Sequence, residues 1–292
     1  MDRIFFGDNQ FFGINHMSEE KARQQMMRFQ DINAIADTLH AAYSAGVPGF
    51  MCTTHERMIE LTQIIRREPE KWAGLRFYPG MPYAHKYANA VTELGPFEAL
   101  KQFLPSGGLL DAALRGSKAL ITRDVESIIT LLVDAEMKAF EGLETPIVFL
   151  QNVVTDLVLG LGYHDAFAIF SEHVKKRYKA EPGFFTMNLP MLLPALDAVG
   201  VKNPIICANV NKIAFRMSGG IEAYREATTQ RPARVIAMSV LASGAVPARE
   251  AIEWVVNEPY VESILFGASS RGNIENTVSL IREADAKRLT AA

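Results

Sequence analysis

The sequence predicts an α/β protein of the (β/α)8 TIM-barrel class, with a helical insertion between strands three and four. Three observations carry that expectation. Eight short apolar runs are spread along the 292 residues, and buried parallel strands read as such continuous runs. Most of the intervals between them have helical spacing, as the crossovers joining parallel strands require. No early glycine-rich nucleotide fingerprint points instead to an open doubly wound sheet, and the length suits a barrel, which takes about 250 residues as one unit.

The runs follow in order. The first is Ile4 to Gly7. The second, Gly49 to Thr53, comes after a helix-like stretch from Ser18 to Ala45 and the Ala45-Gly46-Val47-Pro48-Gly49 boundary, whose glycines and proline punctuate it. The third is Leu75 to Pro79, the fourth Pro146 to Leu150, the fifth Gly183 to Met187, the sixth Pro204 to Ala208, the seventh Arg234 to Met238 and the eighth Ser263 to Gly267. Segments Glu56 to Arg67, Asp165 to Tyr178, Ile221 to Thr229 and Ala248 to Val256 place apolar residues on one helical face. The connection from Gly95 to Glu144 is too long for one crossover. Thr122 to Phe140 reads as its regular helix, and about 95–120 reads as an insertion serving as a lid, an oligomer contact or a surface hairpin. The whole chain, 1–292, reads as one domain.

Composition limits the function classes. Hydrophobic residues make up 49% and charged residues 22%, the balance of a globular protein in water. A net charge of −3 offers no global basic field for nucleic acid or anionic lipid. No window of about twenty apolar residues suggests a membrane span. Two cysteines, Cys52 and Cys207, and the absence of a signal-like N-terminus suit a cytoplasmic location.

Barrel sites lie at the C-terminal ends of the strands, which turns the strand order into a list of candidates. Asp8 ends strand one, and a carboxylate there serves as a general base, a metal ligand or a turn residue. Asn9 and Gln10 follow it. Thr54, His55 and Glu56 follow strand two, and Tyr83, His85 and Lys86 follow strand three. Gln151 and Asn152 end strand four, Asn188 ends strand five, and Asn209, Asn211 and Lys212 end strand six. Amides orient substrates but do not exchange protons readily. The proton-active candidates are therefore Asp8 and His55, helped by His85 and Lys86, while Lys212 is a Schiff-base candidate if buried. Asp8, His55 and His85 also form a conceivable divalent-metal set, without any His-x-His or HExxH spacing to support it.

The stretch ILFGASSRGNIENT, Ile264 to Thr277, runs from an apolar strand into a helix start. Helix N-termini after strands seven and eight of a barrel bind phosphate through free N–H groups and the helix dipole. Ser243 after strand seven, and Gly267, Ser269, Ser270, Arg271, Asn273 and Asn276 after strand eight, are the anion-site candidates. The alternative is a serine that only caps the last helix.

Ala237 to Gly244 resembles the strand-seven segment of the aldo-keto reductases, and Ile264 to Asn276 resembles the strand-eight segment with which that family holds the adenosine phosphate of NADP. The resemblance is modest over the whole chain and concentrated after about residue 230. It implies the barrel fold and a cofactor role for Ser269, Ser270, Arg271, Asn273 and Asn276. The family's catalytic Asp, Tyr, Lys and His are not found. Cys52 stands at the Asp position with no Tyr at the family's interval, Tyr78 to Met81 holds no Lys, and Gln151 or Asn152 stands at the His position. The sequence reading is an enzyme acting on a small phosphorylated or carboxylated metabolite, with a homodimer admitted by the apolar insertion. Its rivals are an NADP-dependent reductase with a rebuilt proton relay, a Lys212 Schiff-base lyase, a metal-dependent isomerase or lyase, and a non-catalytic binding protein on the same barrel.

Overall fold

The structure is a computed structural model that describes residues 1–13, 19–83 and 125–291. Eight parallel strands close into a barrel in sequence order: β1 (Ile4–Gly7), β2 (Gly49–Thr53), β3 (Arg76–Met81), β4 (Ile147–Leu150), β5 (Glu181–Thr186), β6 (Ile205–Asn209), β7 (Arg234–Met238) and β8 (Val261–Phe266). β8 pairs back onto β1, with Ile4 opposite Ile264 and Phe6 opposite Phe266. The described helices are α1 (Glu19–Arg28), α2 (Ile32–Ser44), α3 (Arg57–Arg67), α4 (Val125–Met137), α5 (Asn152–Gly160), α6 (Asp165–His173), α7 (Leu189–Ala198), α8 (Gly220–Gln230), α9 (Ala248–Val256) and α10 (Arg271–Ala291).

Several boundaries differ from the apolar pattern. The stretch read as one helix from Ser18 to Ala45 holds two, because Asp31 takes an extended backbone and its Oδ1 accepts the Asn33 N–H at 2.9 Å, capping α2. β3 runs on to Met81, since Gly80 and Met81 pair with Phe149 and Leu150. β5 begins at Glu181, whose N–H donates to the Pro146 carbonyl at 2.8 Å. The helix expected over Thr122 to Phe140 appears as α4 and a 3-10 turn, Lys138–Phe140; the expected insertion at 95–120 lies outside the described residues.

Alternation along each strand sorts its side chains into two cores. Phe5, Met51, Tyr78, Phe149, Cys207 and Ile236 fill the barrel interior. Phe6, Cys52, Phe77, Val148, Ile206 and Ala237 face the helices. The interior is packed rather than open: a Cβ at Gly183 would sit 2.4 Å from the Phe149 ring, so only glycine lets that ring lie across β5. Each buried Phe contributes about 1.5–3 kcal/mol of transfer free energy. Asp2 plugs the N-terminal end, accepting from Tyr78 Oη at 2.6 Å and pairing with Arg76. Both cysteines are buried and free. Among the described residues no helix is long and apolar enough to cross a membrane.

Candidate active site

The C-terminal mouth gathers a cluster around Asp8. Asp8 leaves β1 as the chain enters a 3-10 turn, Asn9–Phe12, but its side chain does not cap that turn. It reaches across to β2, where Oδ2 accepts the Thr53 N–H at 2.6 Å and the Thr53 hydroxyl at 2.8 Å. Only 5% of Asp8 is exposed. Burial outweighs the two hydrogen bonds and pushes its carboxyl up from 3.8 to about 6. Asp8 also acts on its neighbours: burial and the Asp8 charge together raise the Tyr83 phenol and the Cys52 thiol.

His55 joins the cluster through Tyr83. Its ring stacks on Phe12, centroids 4.1 Å apart and nearly parallel, and lies 5.4 Å from the Tyr83 ring. Its Nδ1 accepts the Arg57 N–H at 3.2 Å at the start of α3, so a neutral ring carries its proton on Nε2. Glu136, on α4, is a residue that sequence reasoning missed. It is buried and accepts both the Thr54 hydroxyl and the Tyr83 N–H, the latter at 3.1 Å. It thereby ties the ends of β2 and β3 together beneath His55 and Tyr83. It had no distinct signal in the sequence, since the same helix, VESIITLLVDAEM, also carries Glu126 and Asp134.

The other expected residues fall into separate groups. His85 and Lys86 lie outside the described residues, and with them the third ligand of the Asp8–His55–His85 metal set; among the described residues no three His, Cys, Asp or Glu form a metal-binding group. Thr54 is spent on Glu136. Gln10 is no substrate ligand in this geometry: its Nε2 donates to the Gly7 carbonyl at 2.7 Å, and its Oε1 packs where a Cβ on Gly267 would be. Asn188 caps α7, accepting from the Met191 N–H at 3.4 Å. Asn209 and Asn211 are buried and bond to backbone groups of the loop after β6 rather than facing a ligand. Gln151 and Asn152 stand half-buried at the end of β4; Asn9 and Glu56 are exposed at the rim. Lys212 corrects the Schiff-base expectation: it is 44% exposed and paired with Glu250 at 2.7 Å, opening on an outward groove of about 490 Å³ beside Glu253 and Trp254. Its amine lies in water beside an acid, whereas a Schiff-base lysine needs a desolvated pocket.

At the strand-eight end, Ser270 Oγ accepts the Asn273 N–H at 3.3 Å and so caps α10. Ser269 is half-buried, while Gly267, Asn273 and Asn276 are exposed. Arg271 is exposed and lies 3.5 Å from Glu275 along the same helix. Ser243 takes a left-handed backbone, φ 58°, in the turn after β7. A further carboxylate, Asp156 on α5, accepts the Thr186 hydroxyl at 2.5 Å and the Met187 N–H at 3.0 Å, and burial raises its carboxyl.

Comparison of the whole architecture with solved structures places this barrel. A Pseudomonas aeruginosa protein classed with the aldo-keto reductases superposes with a TM-score of 0.60 at 14% identity, over 97% of this chain and 90% of that one. An aldo-keto reductase from Brucella melitensis gives 0.56 at 10% identity, over 98% and 95%. The Bombyx mori aldo-keto reductase in complex with NADP gives 0.55 at 9% identity, over 98% and 89%. The chain has the aldo-keto reductase fold. At these identities the likeness is one of fold. No family model and no curated protein matches the sequence. On that shared barrel the ends of β1 to β3 carry Asp8, Thr53, His55 and Tyr83, and α4 adds Glu136 to the cluster.

Proposed function

We propose that this chain is an enzyme performing acid–base chemistry at the barrel mouth on a small anionic metabolite, with Asp8 as the group that moves the proton. The observation that carries this is Asp8 itself: a carboxyl at a strand's C-terminal end, almost fully buried, with its pKa raised to about 6. A proton-transfer group works best with a pKa near the working pH, and burial is the usual way a carboxyl reaches it. Thr53 fixes its orientation with two hydrogen bonds to one oxygen. Tyr83, which feels the Asp8 charge, and His55, whose ring centroid is 5.4 Å from that of Tyr83, are the candidate partner groups. The test is carbon-13 NMR of aspartate-labelled protein. A carboxyl resonance absent from D8N and titrating near pH 6 is expected; titration of that resonance below about 4.5, the ordinary carboxyl range, sinks the assignment.

A second reading is NADP-dependent oxidoreduction, favoured by the aldo-keto reductase fold and by the NADP complex of the Bombyx mori neighbour. The residues present fit the phosphate end of such a cofactor. The first N–H groups of α10 have no intrahelical acceptors, Ser270 takes up that of Asn273, and Ser269 and Arg271 adjoin the rest in the chain. NADP would supply hydride; this chain's part would be to grip the phosphate and to provide a proton from Asp8 or Tyr83 in place of the missing tetrad. Quenching of tryptophan fluorescence by NADPH but not by phosphate supports this reading, and no response to NADPH removes it.

A further inference from the structure

The loop after β6 is held by several side-chain hydrogen bonds, and the pattern of its bracing indicates what it is for. Asn211 Oδ1 accepts the Phe215 N–H at 2.7 Å, and Asn211 Nδ2 donates to the Phe215 carbonyl at 2.9 Å. Asn209 Nδ2 donates to the Arg216 carbonyl at 3.1 Å. The Asn211 N–H points at the Met217 sulfur, and the Ser218 N–H donates to the Met187 carbonyl at 3.2 Å, anchoring the loop to the end of β5. Asn209 is 2% exposed and Asn211 fully buried, so two asparagines are spent on holding a few residues of backbone.

That backbone is strained. Ala214 and Arg216 lie in the left-handed region at φ 56° and 54°, a conformation costly for residues with a Cβ. Five of the seven described non-glycine residues with positive φ fall in the loops after β6 and β7: Ala214, Arg216, Ser239, Ala242 and Ser243. Strain that neighbouring structure must over-determine concentrates where a side chain is being held for a purpose. The side chain held here is Arg216. It is exposed, with its guanidinium carbon 5.3 Å from the centroid of the Phe215 ring. Phe215 is itself packed on the outer core, so the guanidinium rests on a fixed platform. Most arginines of the described chain have an acid or a backbone carbonyl to bond, as Arg76 has Asp2 and Arg225 has Glu258. Arg216 has no acid partner among the described residues.

We propose that Arg216 is the anion-recognition residue of the site: it binds an oxyanion, carboxylate or phosphate, of the substrate at the β6 side of the mouth. A guanidinium presents a planar fork of N–H donors that matches two oxygens of one such group. The guanidinium carbon lies 5.3 Å from the Phe215 ring centroid, and no acid among the described residues takes its donors. The inference rests on the barrel-mouth reading above and names the group by which it recognises its substrate. It also explains why Asn209 and Asn211 stand at the end of β6: they position the arginine and do not touch the ligand.

The experiment is titration of the full chain with inorganic phosphate and with malonate at constant ionic strength, read by thermal shift and calorimetry. R216Q is expected to weaken binding of at least one anion about tenfold or more, and R216K to restore it only in part, because an ammonium lacks the fork. R216G should lose binding equally while its Tm stays at or above the wild type, since glycine relieves the φ of 54°. Unchanged affinity in R216Q overturns the proposal, as does loss of binding in R271Q but not in R216Q, which would place the anion at the start of α10. Failure of either anion to bind the wild type also overturns it. The Asp8 assignment is judged separately by its NMR titration, which does not depend on any anion. An Asp8 that titrates in the ordinary range while R216Q abolishes binding would end the acid–base reading and leave Arg216 as a binding residue.

Discussion

The two ends of the barrel treat buried and half-buried charge in opposite ways. At the N-terminal end carboxylates are matched with arginines: Asp2 with Arg76, Asp285 with Arg3 at 2.6 Å, Glu262 with Arg234 at 3.3 Å, and Glu258 with Arg225 at 2.5 Å. At the C-terminal end Asp8 and Asp156 have threonine hydroxyls and backbone N–H groups as their partners. An arginine beside a carboxylate favours its charged form, whereas burial with neutral donors leaves the desolvation cost largely uncompensated. That is why the carboxyls of Asp8 and Asp156 are raised. One end of the barrel is arranged for stability and the other stores proton affinity, the division expected between the two faces of such folds.

The sharpest way to break this comparison is to neutralise Asp8. D8N should lower turnover by about 10²-fold or more once a substrate is in hand. The stability test needs no substrate. Asp8 binds its proton more tightly in the folded state than in the unfolded one, so wild-type stability should fall as pH rises from about 4 to about 6 and then level off. A shift of about two units corresponds to roughly 3 kcal/mol. D8N, which never ionises, should lose most of that decline, as chemical denaturation at pH 4 and pH 8 would show. An unchanged slope would mean that Asp8 is not the group titrating.

At the other end the order of effects reverses. D2N should cost about 1–3 kcal/mol, because it removes the anion that Tyr78 and Arg76 share, and it should leave the carboxyl titration near pH 6 unaltered. Urea midpoints and the NMR titration measured together separate the two. Replacing Lys212 should matter least. Its exposed pair with Glu250 is worth about 0.2–1 kcal/mol, K212A should keep full activity, and the wild type should show no borohydride-trapped mass gain at Lys212 with a carbonyl compound. Loss of activity in K212A would return the Schiff-base reading.

Much of this was legible in the residues. Gly49 to Thr53 and Arg234 to Met238 coincide with β2 and β7, because a strand buried on both faces must be apolar throughout. Asp8 stood out because a carboxylate ending such a run is conspicuous. Glu136 did not, because Thr54 and Tyr83 lie 82 and 53 positions away along the chain and meet it only once α4 packs against the barrel. The asparagines misled for a related reason. An amide offers the same donors and acceptor to a substrate as to a backbone, and whether Asn209 reaches a ligand or the Arg216 carbonyl depends on the path of the loop.

The sequence by itself determined the barrel, the order of its strands and the position of Asp8 at a strand end, since these follow from local periodicity and from where polar residues interrupt apolar runs. Only the tertiary structure decided that Asp8 is sealed against Thr53, that Glu136 locks the ends of β2 and β3, that Lys212 turns outward to Glu250, and that Arg216 lies beside Phe215 with no acid partner among the described residues. Proton affinity and charge pairing depend on burial and on distances between residues remote in sequence, and those exist only once the barrel has closed.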